Sequence, residues 1–285
     1  MKYGLGRSLA LPLLMETETL QIRIHGDASR PALIYLPGLH GDWTLVSSFR
    51  ERMKSHVRFV EFTYPRTLAW SLEDYARAVL DALKANGIRE GIILGESFGS
   101  QVAWPLLRLA ASAMPPSFTP RMLILAGGFG RYPILPLLDL SRRIWAILPA
   151  GLARTFFKGY AVFARWRHRH APETAAAIKE FVARRTPPDL RALGHRLDLI
   201  RAYDPQAIAR TVALPVYQLS GRWDPVVFHP PVRAWLRQNC PGYRETKVIA
   251  AADHNVLGTA PDAAAVHVKE WLRNNAARAR VVAGA

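Results

Sequence analysis

Five consecutive residues, Gly95-Glu96-Ser97-Phe98-Gly99, set a serine between two glycines, with an apolar run before it and a helical pattern after it. A hydroxyl on a sharp strand-to-helix turn is presented for attack, and so sharp a turn needs small residues two positions away on either side. Gly95 and Gly99 meet that need, which singles out Ser97 as a candidate nucleophile. A serine hydroxyl is a poor nucleophile until a base takes its proton, so a histidine must come within reach. Of the nine histidines, His254, in Ala251-Ala252-Asp253-His254-Asn255, alone ends a strand at the required edge. His25 and His56 flank early strands far from it, and His168, His170, His195, His229 and His267 fall in helical stretches. The imidazole needs a carboxylate to fix its tautomer and stabilise the imidazolium. Asp224, in Gly221-Arg222-Trp223-Asp224-Pro225, follows the strand before that of His254 and is the candidate acid. Asp253 is its rival by proximity, but neighbours on a loop point apart, so Asp253 is expected to be a turn or capping residue.

A tetrahedral intermediate needs backbone donors aimed at its oxyanion. The N–H of Phe98, directly after Ser97, is one candidate. The second is expected from Pro37-Gly38-Leu39-His40-Gly41-Asp42-Trp43, a loop that follows another apolar run and whose glycines permit a tight backbone. Within it the Leu39 N–H is the candidate donor. No metal-ligand spacing and no dinucleotide fingerprint occurs, so neither a metal nor an organic cofactor is expected.

The elements that must position these residues alternate between strand and helix. Thr19 to His25, Ala32 to Leu36, Val57 to Phe62, Gly91 to Leu94 and Met122 to Ala126 read as strands. Leu72 to Ala85 and Phe98 to Ala111 read as helices, the first stopped by Asn86-Gly87. Strands resume at Leu214 to Leu219 and Thr246 to Ala250 with a helix between them, and a last helix runs from Pro261 to about Asn275. Such alternation predicts an α/β fold with a mostly parallel sheet covered on both faces.

Residues 131–205 interrupt the pattern: they are helix-like, rich in Arg and aromatics, and hold no convincing strand. The expected organisation is therefore a core of 16–130 and 206–276, a helical cap of 131–205, a leader of 1–15 and a tail of 277–285. In the cap, Leu152, Phe156, Tyr160 and Phe163 recur at helical spacing. They pack the cap onto the core or, with Phe157, roof an apolar acyl pocket. Arg154, Lys158, Arg165, Arg167 and Arg169 would make that roof basic, suited to an anionic or membrane-delivered ester and to peripheral membrane contact.

These motifs resemble the α/β-hydrolase superfamily over nearly the whole chain apart from leader and tail, in particular its capped serine esterases and lipases. The resemblance rests on Pro37-Gly38, the Gly95–Gly99 elbow, the Gly221–Asp224 loop and the late His254, in the chain order Ser, Asp, His. It implies an eight-stranded sheet with a helical cap between strands six and seven. Pro37 stands where the commoner step is His-Gly, which removes a side chain that helps hold the loop but not its backbone donor. The implied activity is hydrolysis of a small carboxylic ester or thioester through an acyl-enzyme. Acyl transfer to an alcohol would use the same three residues, and a non-catalytic binding module would keep only the fold.

Bulk properties bound the alternatives. The chain has 285 residues, half of them apolar, enough for one large domain with an insertion. Its net charge is +16 and its sequence pI about 10.6, a balance that invites a nucleic-acid reading. The basic residues are mostly Arg and spread along the length, and no nucleic-acid module appears, so no nucleic-acid partner is expected. A single cysteine, Cys240, rules out an internal disulfide framework and fits a reducing, cytoplasmic compartment. Met1 to Met15 faintly mimics a signal peptide, but Pro12 interrupts its short apolar stretch; Met15 is an alternative start. No apolar run approaches the roughly 18 residues of a transmembrane helix.

Overall fold

A computed structural model describes residues 19–283 except 113, 149–150, 153–154, 156–158, 160–161, 163–165 and 168–171. Its centre is a sheet of seven strands in the order β1-β3-β2-β4-β5-β6-β7. These are β1 (Gln21–His25), β2 (Ala32–Leu36), β3 (Arg58–Thr63), β4 (Glu90–Glu96), β5 (Thr119–Ala126), β6 (Val216–Gly221) and β7 (Tyr243–Ile249). Only β1 runs antiparallel, against β3; every other neighbouring pair is parallel.

A parallel sheet is buried on both faces and its strands read as continuous apolar runs. In β2 all five residues are buried, and the side chains divide by the two-residue period of a strand. Ile34 and Leu36 enter one core, Leu33 and Tyr35 the other. The first core is covered by α2 (Leu72–Ala85), α3 (Phe98–Ser112) and α8 (His229–Asn239). The second is covered by α1 (Ser47–Met53) and α10 (Pro261–Ala283), whose Trp271 stacks on Tyr217 of β6. Helix α2 starts at a capping box formed by Ser71 and Asp74, and Gly87, at φ +67°, lies just beyond its end.

Between β5 and β6 the chain leaves the sheet for α4 (Leu135–Ile147), α5 (Pro172–Ala183) and α6 (Pro187–Ala202), then returns through the single turn α7 (Gln206–Ala209). No strand occurs there among the described residues. The four aromatic residues expected to roof a pocket, Phe156, Phe157, Tyr160 and Phe163, lie outside the described residues, as does the leader 1–15.

Three expectations are corrected. The described sheet has seven strands rather than eight, because it begins at β1 with nothing hydrogen-bonded outside it. Helix α10 continues to Ala283, past the expected helix end near Asn275, because Ala276-Ala277-Arg278-Ala279-Arg280 is a run of strong helix formers broken by no Gly or Pro. Strand β7 begins three residues early, at Tyr243. It is an edge strand, so Arg244, Glu245 and Lys247 are tolerated in it and mask its apolar signal. No helix among the described residues is long and apolar enough to cross a membrane.

The chain passes from β2 outward to β3, and β4 then lies on the other side of β2. In an open α/β sheet the crevice at such a reversal, outside the carboxyl ends of the strands, is where ligands bind. Leu39 follows β2 and Ser97 follows β4, so the topology delivers both to that crevice.

Candidate active site

Ser97 occupies the one-residue gap between β4 and α3 at φ +48°, the only described non-glycine residue with a positive φ. That conformation is costly for an L-residue and survives where the surroundings over-determine it. Its N–H donates to Ala126 O at 3.0 Å, and the Ser100 N–H returns to Ser97 O at 3.0 Å. The flanking glycines are required by contact. A Cβ on Gly99 would sit 2.0 Å from Leu36 O, and one on Gly95 would sit 2.9 Å from the Ser100 backbone. The turn is therefore wedged between β2 and the first turn of α3.

Asp224 and His254 come from the loops after β6 and β7. Those loops touch: the Trp223 N–H donates to Ala252 O at 3.1 Å, and a Cβ on Gly221 would lie 2.1 Å from Asp253 O. This close approach, permitted only by glycine, lets a carboxylate from one loop meet an imidazole from the next. His254 Nδ1 lies 2.8 Å from Asp224 Oδ2, and His254 Nε2 lies 2.9 Å from Ser97 Oγ. The three side chains form one unbroken hydrogen-bonded chain. Asp224 is almost wholly buried, and its other oxygen, Oδ1, accepts the Val226 and Val227 N–H groups, each at 2.8 Å. Asp253 is used differently: its Oδ1 accepts from the Asn255 N–H at 3.0 Å and the Thr259 hydroxyl at 3.2 Å, tying down the turn into the short helix α9 (Val256–Thr259).

Burial disfavours a charged imidazole, but the charge and hydrogen bond of Asp224 outweigh it, so His254 titrates above its ordinary 6.5. Glu96 and Asp253 add to that rise. Glu96 was not singled out by sequence reasoning, although it directly precedes Ser97. Burial pushes its carboxyl up to about 7, against a hydrogen bond from the Tyr35 hydroxyl and the nearby His254 that favour its charged form. The site thus holds a second buried carboxyl besides that of Asp224.

The two candidate oxyanion donors also reach the crevice. A Cβ on Gly38 would lie 3.4 Å from Ser97 Cβ, so the loop after β2 packs directly on the serine. Among the described residues neither the Leu39 N–H nor the Phe98 N–H has an acceptor. Above Ser97 opens a cavity of about 540 Å³. The core contributes Leu39, Leu45, Trp223 and Val226 to its wall, and the inserted segment contributes Arg167, Phe181 and Leu193. The described apolar roof therefore comes from α5 and α6. Their sequence signal was the spacing of Ile178, Phe181 and Val182 and of Leu193, Leu197 and Ile200.

A family model described as alpha/beta hydrolase family matches residues 33–267. The chain belongs to the alpha/beta hydrolase family. Solved structures of similar fold span nearly all of this alpha/beta hydrolase. A thermophilic esterase from Thermogutta terrifontis superposes with a TM-score of 0.70 at 18% identity, covering 90% of this chain and 93% of that one. An enol-lactonase from Burkholderia xenovorans LB400 gives 0.70 at 18% identity, covering 89% and 96%. A carboxylesterase structure from the thaumarchaeon Nitrososphaera gargenis gives 0.73 at 15% identity, covering 91% and 96%. At these identities the likeness is one of fold. No curated protein matches the sequence.

Proposed function

We propose that this alpha/beta hydrolase cleaves a carboxylic ester or thioester through an acyl-enzyme on Ser97. The observation that carries the reading is the continuous Ser97–His254–Asp224 hydrogen-bond chain at the floor of a largely apolar cavity. His254 Nε2 takes the proton as Ser97 Oγ bonds to the acyl carbon, and the Leu39 and Phe98 N–H groups receive the oxyanion. Collapse of that intermediate breaks the bond to the alcohol or thiol, which leaves with the proton from His254. Water then repeats the sequence on the acyl-enzyme, giving its proton to His254 and releasing the acid and free Ser97. Asp224 holds the tautomer and stabilises each imidazolium, without itself being protonated. The inserted helices act as a cap that supplies the apolar wall. Support comes from the family match, from the fold shared with esterases, and from a serine strained into the attacking position.

The test is a panel of p-nitrophenyl esters and acyl-CoA thioesters of graded acyl length, together with labelling by a fluorophosphonate. Each buried methylene contributes about 0.8 kcal/mol, so kcat/KM should climb roughly fourfold per methylene until the cavity is full. A flat profile from acetyl to decanoyl would remove the acyl-pocket assignment.

The proposed base also sets a pH dependence. Activity needs neutral His254, so kcat/KM rises with pH through an acid limb centred above 6.5. Because Glu96 titrates nearby at about 7, that limb belongs to the pair rather than to the imidazole alone. Glu96→Gln removes a charge that stabilises the imidazolium, so the limb should move to lower pH. A limb that stays in place or moves up would show that no ionised Glu96 acts on His254.

A further inference from the structure

We infer that two buried arginines of the inserted segment, Arg196 on α6 and Arg185 just after α5, are positioning residues that fix the backbone of the loop carrying the Leu39 N–H. The inference rests on the proposal that this N–H is an oxyanion donor.

The loop is a tight turn closed by the Gly41 N–H donating to Gly38 O at 2.9 Å, with Leu39 and His40 at its corners. Glycines at both ends give such a turn wide backbone freedom. Among the described residues no backbone N–H donates to the Leu39 or His40 carbonyl. Both accept from the insertion instead: Arg196 Nη1 donates to Leu39 O at 2.7 Å, and Arg185 Nη1 donates to His40 O at 2.9 Å. All three carbonyls from Gly38 to His40 are thereby engaged, while the Leu39 N–H keeps no protein acceptor among the described residues.

Both arginines are built in. Arg196 is 2% exposed. Its Nη2 also donates to Pro65 O at 3.0 Å, and its guanidinium lies 5.5–6.0 Å from the ring centres of Tyr64, Tyr75 and Phe98. Among the described residues it has no carboxylate partner. A buried cation without a counter-ion is costly, and an apolar side chain would fill the same space at less expense. What the guanidinium adds is a rigid fork of donors, here divided between the loop after β2 and the loop after β3. Contact with the turn is direct, since a Cβ on Gly41 would lie 2.3 Å from Arg196 Nη1. Arg185 pairs with the buried Asp42 carboxylate, and its Nε donates to Phe181 O at 3.0 Å, so it ties the far end of the same loop to α5. The insertion is then part of the catalytic apparatus as well as the roof of the cavity.

The test compares Arg196→Met, Arg196→Lys and Arg185→Lys with wild type, and with Arg142→Met as a control. Arg142 is also on the insertion, but it pairs with Asp139 and Asp198 on the surface. A displaced donor costs up to ~100-fold, so Arg196→Met should lower kcat by about 10- to 100-fold with KM within twofold. Arg196→Lys, which keeps a charge and one directed donor, should recover part of the loss, and Arg142→Met should match wild type. Amide hydrogen exchange read over residues 38–42 should quicken at least tenfold in Arg196→Met, with β4 and α3 unchanged. If Arg196→Met does not fold, the two lysine variants carry the comparison. An unchanged kcat in a folded variant overturns the inference. So does exchange that quickens across the whole sheet with a matching fall in Tm, which marks a merely structural role. If wild type hydrolyses no ester and takes no fluorophosphonate, the reading of the site fails instead, and the exchange of 38–42 still decides whether the arginines order the loop.

Discussion

Ser97→Ala is expected to lower turnover by about 10⁶-fold, the size of the loss when a hydrolase's nucleophile is deleted, and to abolish labelling by a fluorophosphonate. The fold should survive. Alanine meets the same backbone demand at φ +48° as serine, and the change removes only the hydroxyl that His254 Nε2 contacts at 2.9 Å. Far-UV circular dichroism and Tm should therefore stay near wild type while activity disappears. The nearest alternative nucleophile is Ser100, but it is buried and its hydroxyl is committed: it donates to Ser97 O at 2.6 Å and accepts the Phe129 N–H at 3.1 Å. A folded Ser97→Ala protein that still takes the label, at Ser100 or elsewhere, would move the active site away from the β4–α3 turn.

Asp224→Asn should cost about 10⁴-fold in kcat, on the scale seen when the corresponding carboxylate of a serine protease is made an amide. The local geometry gives the reason. Asp224 Oδ1 accepts two backbone N–H groups at 2.8 Å, so an asparagine must put its carbonyl oxygen there. Its NH2 group is then forced toward His254 Nδ1, 2.8 Å from the atom it replaces. Two donors cannot face each other, so the imidazole takes the tautomer with its proton on Nε2 and offers Ser97 a donor where an acceptor is needed. The variant should fold, because the loop contacts persist, and residual activity should show an acid limb at lower pH, since the charge that raises His254 is gone. Asp253→Asn should change kcat far less, because that side chain faces Asn255 and Thr259. If Asp253→Asn proves the more damaging of the two, the roles of the two aspartates are exchanged.

Much of the candidate site was legible in the chain because its placement depends on local rules. A strand-to-helix turn that carries a nucleophile needs Gly at fixed offsets, and Gly95 and Gly99 announce it without reference to anything distant. Buried parallel strands advertise themselves as short apolar runs, so β2, β4 and β5 could be read, and with them the edge to which Ser97, Asp224 and His254 belong. Edge and terminal elements were less legible. β7 carries charge because one of its sides is open, and the reach of α10 depends on helix propensity rather than on burial.

What only the tertiary structure decided is how groups far apart in the chain share one low-dielectric space. Gly221 opens the Gly221–Asp224 motif, but why it must be glycine shows only when the loop after β7 is seen passing 2.1 Å from where its Cβ would stand. Glu96 reads as the variable position of a motif until burial raises its carboxyl beside His254. Arg196 occupies the face of α6 shared with Leu193, Leu197 and Ile200, where helical periodicity calls for an apolar residue. That exception was visible in the sequence, but its partner was not. The carbonyl it meets belongs to Leu39, 157 residues earlier, and no local pattern encodes which backbone oxygen a buried guanidinium will find. Spacing along a chain specifies elements and the side chains they present; the pairing of charges and orphan carbonyls follows from which elements pack together, and so becomes readable only once the fold is closed.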